Sequence, residues 1–268
     1  MKRFIAVGFA AVAALFAVPA AAGAQTAPAA TIMLLHGIPG TPVDVFVDGK
    51  VVIPNFGPGK MQDLSSFAGK SLKNLEVRLA GKTDVAIGPV ANFDVPATGN
   101  YTVVAHLDAA GKPTLTPFKN DTTVLDAGKG RLTVRHTASA PAVDIVLGAA
   151  RPFTNLVNGK EGAAVLPAGT IAGAKIAPTG KDPIGDIPTV ELKAGTNLIV
   201  YAVGSLEAKT LTYYTQTISG LGGTPTKVNT GNSALPVKSS SDALLAGAAA
   251  LAMFGLSGAV IARRRVRG

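Results

Sequence analysis

The sequence predicts an all-β protein made of two similar domains in tandem, held between an export signal and a membrane anchor. Three observations carry this. Apolar residues alternate with polar ones at period two, and turn residues recur every 8–12 positions or so, the pattern of a sandwich or barrel. A segment recurs at an offset of 100 residues. No stretch between the two ends has the periodicity of an amphipathic helix.

The chain starts with Lys2 and Arg3, an uncharged apolar run from Phe4 to Val18, and small residues at Ala22-Gly23-Ala24. These are the three parts of a secretory signal peptide, residues 1–24, cleaved before Gln25.

The repeat comes next. Leu35-His36 is followed by Val43-Asp44-Val45, and Arg135-His136 by Val143-Asp144-Ile145, with His, Val and Asp at identical spacing. A looser pair is Gly99-Asn100-Tyr101-Thr102-Val103-Val104 and Gly195-Thr196-Asn197-Leu198-Ile199-Val200. Self-similarity on this scale means two copies of one domain, placed at 31–126 and 130–220. The joint is the Gly-rich Asp126 to Gly130.

Within the first copy, Val43-Asp-Val-Phe-Val47 alternates, Asp48-Gly49 is a hairpin turn, and Val51 to Ile53 returns. Leu75 to Leu79 also alternates, with one buried face and one wet face. Tyr101 to Leu107 and Leu198 to Val203 are more continuously apolar, as in central strands. Arg131 to His136 and Thr210 to Ile218 complete the second copy. In Tyr213-Tyr214 one ring must point each way, so one joins the core and the other marks an exposed patch.

Residues 221–242 are polar and Gly/Ser-rich, a stalk. Ala243 to Ala262 is a 20-residue uncharged stretch, which at ~1.5 Å per residue spans a bilayer core. Arg263, Arg264, Arg265 and Arg267 follow, in a basic tail at 263–268 that stays on the cytoplasmic side. The arrangement is single-pass type I, with residues 25–242 exported. Leu235-Pro236 precedes the anchor, as in wall-sorting signals, but Val237-Lys238-Ser239 lacks the Thr-Gly that carries the scissile bond. Membrane anchoring is therefore favoured over covalent wall attachment.

The net charge of +9 is largely a matter of location. Without Lys2, Arg3 and the four tail arginines, 19 basic residues face 16 acidic ones, a net of +3. No aromatic-interleaved basic surface is visible, so nucleic acid is not an expected partner. The absence of Cys excludes disulfides, thiolate metal sites and Cys nucleophiles.

The segment His36-Gly-Ile-Pro-Gly-Thr-Pro-Val-Asp-Val-Phe-Val-Asp-Gly49 resembles the signature of a bacterial exported family, domain of unknown function 4397. Ala105 to Asp108 with Pro113 to Thr116, and Arg135-His136-Thr137 to Val143-Asp144, are similar to its actinobacterial members. The resemblance spans roughly residues 31–220. It implies an immunoglobulin-like β-sandwich per copy and a surface location, and it implies no activity. Many relatives carry a longer His-Ala-Ser-Pro-Asp-Ala-Pro segment; both copies here are one residue shorter between His and Asp.

The pairs His36/Asp44 and His136/Asp144 are the candidate site residues. An imidazole with a carboxylate can bind a divalent ion. The competing reading is structural, with each His bonding across its loop to the next strand's Asp or backbone. One pair per copy is too few ligands for a closed metal site, so no cofactor is expected. Asp48 is turn chemistry, and Asp182 with Asp186 forms a polar surface loop. Met33-Leu34-Leu35-His36-Gly37-Ile38-Pro39-Gly40 resembles the His-Gly segment that shapes the oxyanion hole of α/β-hydrolases, but no Gly-x-Ser-x-Gly elbow accompanies it and the second copy has Thr137 in place of Gly37. The expected function is a non-enzymatic, membrane-anchored surface module contacting a wall polymer or another surface protein. The alternatives are a small-solute or metal-binding sensor and, remotely, an esterase-like enzyme.

Overall fold

A computed structural model describes residues 29–223, and these form an all-β body of sandwich-like sheets with one short 3-10 turn at Ser65–Phe67. Among the described residues no helix is long and apolar enough to cross a membrane. The segments read as signal peptide (1–24), membrane helix (243–262) and basic tail (263–268) lie outside the described residues, as does all but the start of the stalk.

The first repeat comprises β1 (Thr31–His36), β2 (Val43–Val47), β3 (Lys50–Phe56), β4 (Met61–Asp63), β5 (Ser71–Leu79), β6 (Val85–Asp94), β7 (Asn100–Leu107) and β8 (Pro113–Lys119). They make two sheets, ordered β4-β1-β7-β8 and β3-β2-β5-β6. The second repeat comprises β9 (Lys129–Ser139), β10 (Val143–Leu147), β11 (Ala150–Leu156), β12 (Lys160–Pro167), β13 (Gly169–Ile171), β14 (Ala174–Pro178), β15 (Gly185–Asp186), β16 (Val190–Leu192), β17 (Asn197–Ser205) and β18 (Thr212–Ile218). Its main sheets are β12-β9-β17-β18 and β11-β10-β14-β15, with β13 and β16 as a separate pair. The strand order thus repeats, and so does the mixed pairing: β1 lies parallel to β7 as β9 lies parallel to β17, while the other ladders are antiparallel.

Alternation explains the cores. Val43, Val45, Leu75 and Val77 point inward with Leu34 and Val103 into the first core. Val143, Ile145, Leu198 and Val200 do the same in the second. The continuously apolar strands have a different cause. In β1, β7 and β17 the intervening residues Leu35, Val104, Ile199, Tyr201 and Val203 are also buried, and they join Phe118 in a third core between the repeats. These strands are buried on both faces, so the alternate positions are apolar or, as at Thr102 and His106, buried and hydrogen-bonded. Tyr213 packs on the second core and Tyr214 on the core between the repeats, so neither ring forms the exposed patch that the sequence suggested for one of them.

The seam between the repeats also holds a polar network. Arg135 is 1% exposed. Its guanidinium sits 4.5 Å from the Phe118 ring centroid and 5.4 Å from that of Tyr201. It donates to Asn120 Oδ1 at 2.8 Å, Tyr201 Oη at 2.9 Å and Glu161 Oε2 at 2.7 Å. Gln216 Oε1 accepts from both Thr102 and Tyr201, linking one repeat to the other. Two close approaches complete the seam. A side chain on Gly37 would meet the Ala105 carbonyl at 2.9 Å and Val203, and one on Gly59, at φ +75°, would meet the Tyr214 ring.

Contacts across the seam join the start of β17 to the residue after Asn120, beside the start of β7, at one end, and the ends of β7 and β9 at the other, so each repeat has the same near and far ends. At the near end Ala29 bridges Thr98, Asn197 bonds the Asp121 carbonyl at 3.1 Å, and Leu125 pairs with the exit segment at Gly222. Leu221 is buried there, so the segment read as a stalk from 221 begins inside the fold. At the far end Asn158 donates to the Leu107 and Ala138 carbonyls at 2.9 and 2.7 Å, one in each repeat.

Candidate functional site

His36 closes β1 and Asp44 lies in β2 across the loop 37–42; His136 and Asp144 stand at the same spacing in the second repeat, but His136 lies within β9, which runs on to Ser139, so the loop there is 140–142. Both pairs sit at the far end. The structure does not bring His and Asp of a pair into contact with each other. Each has its own partners.

The carboxylates hold bulges. Asp44 accepts the Asn55 amide at 2.7 Å and the Gly81 amide at 2.9 Å. Asp144 accepts the Asn155 amide at 2.9 Å, the Gly180 amide at 3.0 Å and Arg151 at 2.9 Å. Asn55 and Asn155 lie at φ 48° and 52°, where their strands slip register against β2 and β10. An extra residue with positive φ leaves an amide outside the ladder, and the carboxylate supplies its acceptor. The amide bonds hold both carboxyl groups below the usual carboxylate range, the one to Asn55 or Asn155 being the larger influence. This stabilisation is present above the ordinary carboxylate pKa and is lost as pH falls through the lowered value.

The two are not equivalent. Asp144 is nearly inaccessible and also binds Arg151, whereas Asp44 is half-buried and lacks an arginine. Asp144→Ala is therefore expected to lower the melting temperature more than Asp44→Ala. Equal shifts in calorimetry would count against the account.

The histidines clamp their own loops. His36 Nε2 lies 3.3 Å from the Thr41 carbonyl, and its Nδ1 accepts the Ile38 amide at 3.3 Å. His136 Nε2 lies 3.0 Å from the Pro141 carbonyl, and its Nδ1 accepts the Ala138 amide at 3.4 Å. Of the two structural partners expected for each His, the backbone is the one used. Among the described residues no group of three or more His, Cys, Asp or Glu is placed to hold a metal ion. The Gly37 amide, which would have to point into an oxyanion hole, donates to the Ala105 carbonyl at 2.7 Å.

Residues 30–146 match the family model of a domain of unknown function, DUF4397. The match covers the first repeat and continues through β9 into β10, so it includes both His/Asp pairs and Arg135. It stops well short of residue 220. No curated protein matches the chain.

Asn55 and Asn155 are the hydrogen-bond partners of the two aspartates that pattern reading passed over. Their signal was present: Asn55 to Gly59-Lys60 recurs as Asn155 to Gly159-Lys160 at the same offset of 100. The Gly59 and Gly159 amides donate to the His36 and His136 carbonyls at 2.8 and 2.7 Å, so this second motif completes the first. Asp48 takes a turn position at φ 48° and accepts from Asn74. Asp186 makes an exposed pair with Lys175. Between the repeats at the far end, a shallow cleft of about 380 Å³ is lined by Ala109, Ser139, Ala140, Pro141, Leu206 and Glu207.

Proposed function

We propose that the chain is an exported, membrane-anchored, non-enzymatic surface protein whose far-end loops contact a wall polymer or another envelope protein. The observation that supports this most is the polarity of the body. The first described residues, the joint and the exit segment share the near end, bonded through Ala29–Thr98 and Leu125–Gly222. The described chain leaves the body at that end, so an anchor after residue 242 would tether it from there and leave the opposite loops free to make contacts. Loops at one end of a rigid sandwich are the usual place for binding. The far-end histidines and aspartates brace those loops, which is a scaffold's task. In the same reading, the second repeat is a further copy of the family domain and each repeat is immunoglobulin-like. The resemblance and the repeated strand order support both.

A pull-down of wall and membrane fractions with the full-length protein tests the proposal. Lys112→Glu with Lys181→Glu, both exposed at the far end, should reduce retention at least several-fold. Lys119→Glu, exposed at the near end, should leave it unchanged. Retention that ignores the far-end pair, or no retention by any fraction, would overturn the contact surface. Saturable binding of a small solute instead would favour a sensor.

A further inference from the structure

We infer that His36 and His136 are acid-sensitive latches: as neutral rings they hold the far-end loops, 37–42 after β1 and 140–142 after β9, closed, and protonation releases both loops. The hydrogen-bond partners determine the tautomer. A carbonyl can only accept, so Nε2, facing the Thr41 or Pro141 carbonyl, carries the proton. A main-chain amide can only donate, so Nδ1, facing Ile38 or Ala138, carries none. A second proton has only Nδ1 to go to. There it replaces an acceptor with a donor that points at another donor. The loop then loses its inner bond, and a cation is left where the residue is 1% exposed.

The surroundings offer that cation little compensation. On β2, Asp44 is committed to the Asn55 and Gly81 amides; on β10, Asp144 is committed to two amides and Arg151. Lys60 and Lys160, beside the two rings at the starts of β4 and β12, are exposed and of the wrong sign. Phe56 lies against His36 at 5.6 Å. Burial is the larger influence on both rings and favours the neutral form, with main-chain carbonyls opposing it. The third histidine, His106 on β7, differs. Its Nε2 faces the Thr116 hydroxyl at 2.7 Å, which can turn from donor to acceptor. Burial favours its neutral form, as for the other two rings, with the Leu107 carbonyl and Asp108 opposing this and His136 adding to it; the difference lies in the hydroxyl partner. His106 is therefore not a latch.

The sign follows. The folded chain takes up these protons at lower pH than the unfolded chain, whose imidazoles titrate near 6.5. The latch contribution is complete above that value and declines as pH falls below it. Because the two histidine bonds are duplicated, both loops should open below that value. The inference does not depend on what the far end binds.

Nitrogen NMR of the full-length protein in detergent tests this directly. At pH of about 7.5 both rings should show the neutral Nε2–H form. On acidification the Ile38 and Ala138 amides should lose protection in step with ring protonation, below 6.5. Rings that titrate at or above that value, or that protonate without changing those amides, would overturn the inference. The double variant His36→Asn with His136→Asn keeps an acceptor near Nδ1 but cannot titrate. It should lose more than half of the parent's fall in melting temperature between pH of about 7.5 and about 5. An undiminished fall would place the acid sensitivity elsewhere and sink the latch.

Discussion

Arg135→Ala is expected to destabilise the whole described body, by about 3–5 kcal/mol, the range for truncating a large buried side chain that leaves a cavity and an unpaired buried acceptor. The residue joins both repeats. Its guanidinium lies between Phe118 of the first and Tyr201 of the second, and its three hydrogen bonds reach Asn120, Tyr201 and Glu161. Truncation removes all of these together. It leaves the Asn120 carbonyl oxygen without its charged donor and opens a void between two rings. Glu161 suffers less, because its side chain is 36% exposed and water can reach it. For a body of this size the loss corresponds to a fall of roughly 10 °C in melting temperature.

Two comparisons sharpen the expectation. Arg135→Met removes the charge but fills the space between the rings, so it should cost clearly less than Arg135→Ala. Lys175→Ala removes an exposed pair with Asp186 and should change stability by less than about 0.5 kcal/mol. Differential scanning calorimetry on the three variants decides the matter. If Arg135→Ala melts with the parent, the seam carries no stability and the repeats are merely neighbours.

The seam also marks where the sequence could be read and where it could not. Strands β2 and β5 show plain alternation because one face meets a core and the other meets water. The residues 43–47, the Asp48-Gly49 turn and the inward set Val43, Val45 and Val77 follow from that. In β1, β7 and β17 the alternation is lost. Continuous apolarity signals two buried faces, but it does not say what covers the second one. The cover turned out to be the other repeat, a contact more than 90 residues away in sequence between Val104 and Ile199. Arg135 illustrates the same limit. Within β9 an arginine beside a histidine reads as a solvated residue, and only the arrival of Phe118 and Tyr201 on either side makes it a buried anchor. The His/Asp spacing was visible as a repeat, while its chemistry was not. Whether Asp44 faces His36 or the Asn55 amide depends on a bulge in β3, which sets Ile53 and Phe56, three residues apart, on one buried face, a break in alternation too short to place the extra residue from the sequence. The recurring Asn and Gly-Lys were the available trace of it.

Val45→Asp should abolish cooperative folding of the first repeat and weaken the second with it. Val45 is 4% exposed, paired in register with Ile53 and Val77, and faces a wholly apolar core. The substitution forfeits about 1.5–3 kcal/mol of side-chain burial. It also places a carboxylate where no donor is available, a further loss of several kcal/mol. Against a typical total of about 5–15 kcal/mol, little stability remains. Val51→Asp, in the same hairpin but 49% exposed, provides the control for register and should change stability by less than about 0.5 kcal/mol. The wider effect follows from the shared core. Leu35 and Val104 cover Ile199, Tyr201 and Val203 only while β1 and β7 stay folded. Once the first repeat unfolds, those three residues and Arg135 face water, and the second repeat should melt earlier than in the parent. The chain has no Trp, so tyrosine emission reports this: three of its four tyrosines, Tyr201, Tyr213 and Tyr214, lie in the second repeat. A Val45→Asp protein whose tyrosine-monitored transition stays at the parent temperature would show that the second repeat stands alone, and the claim of one coupled body would fail with it.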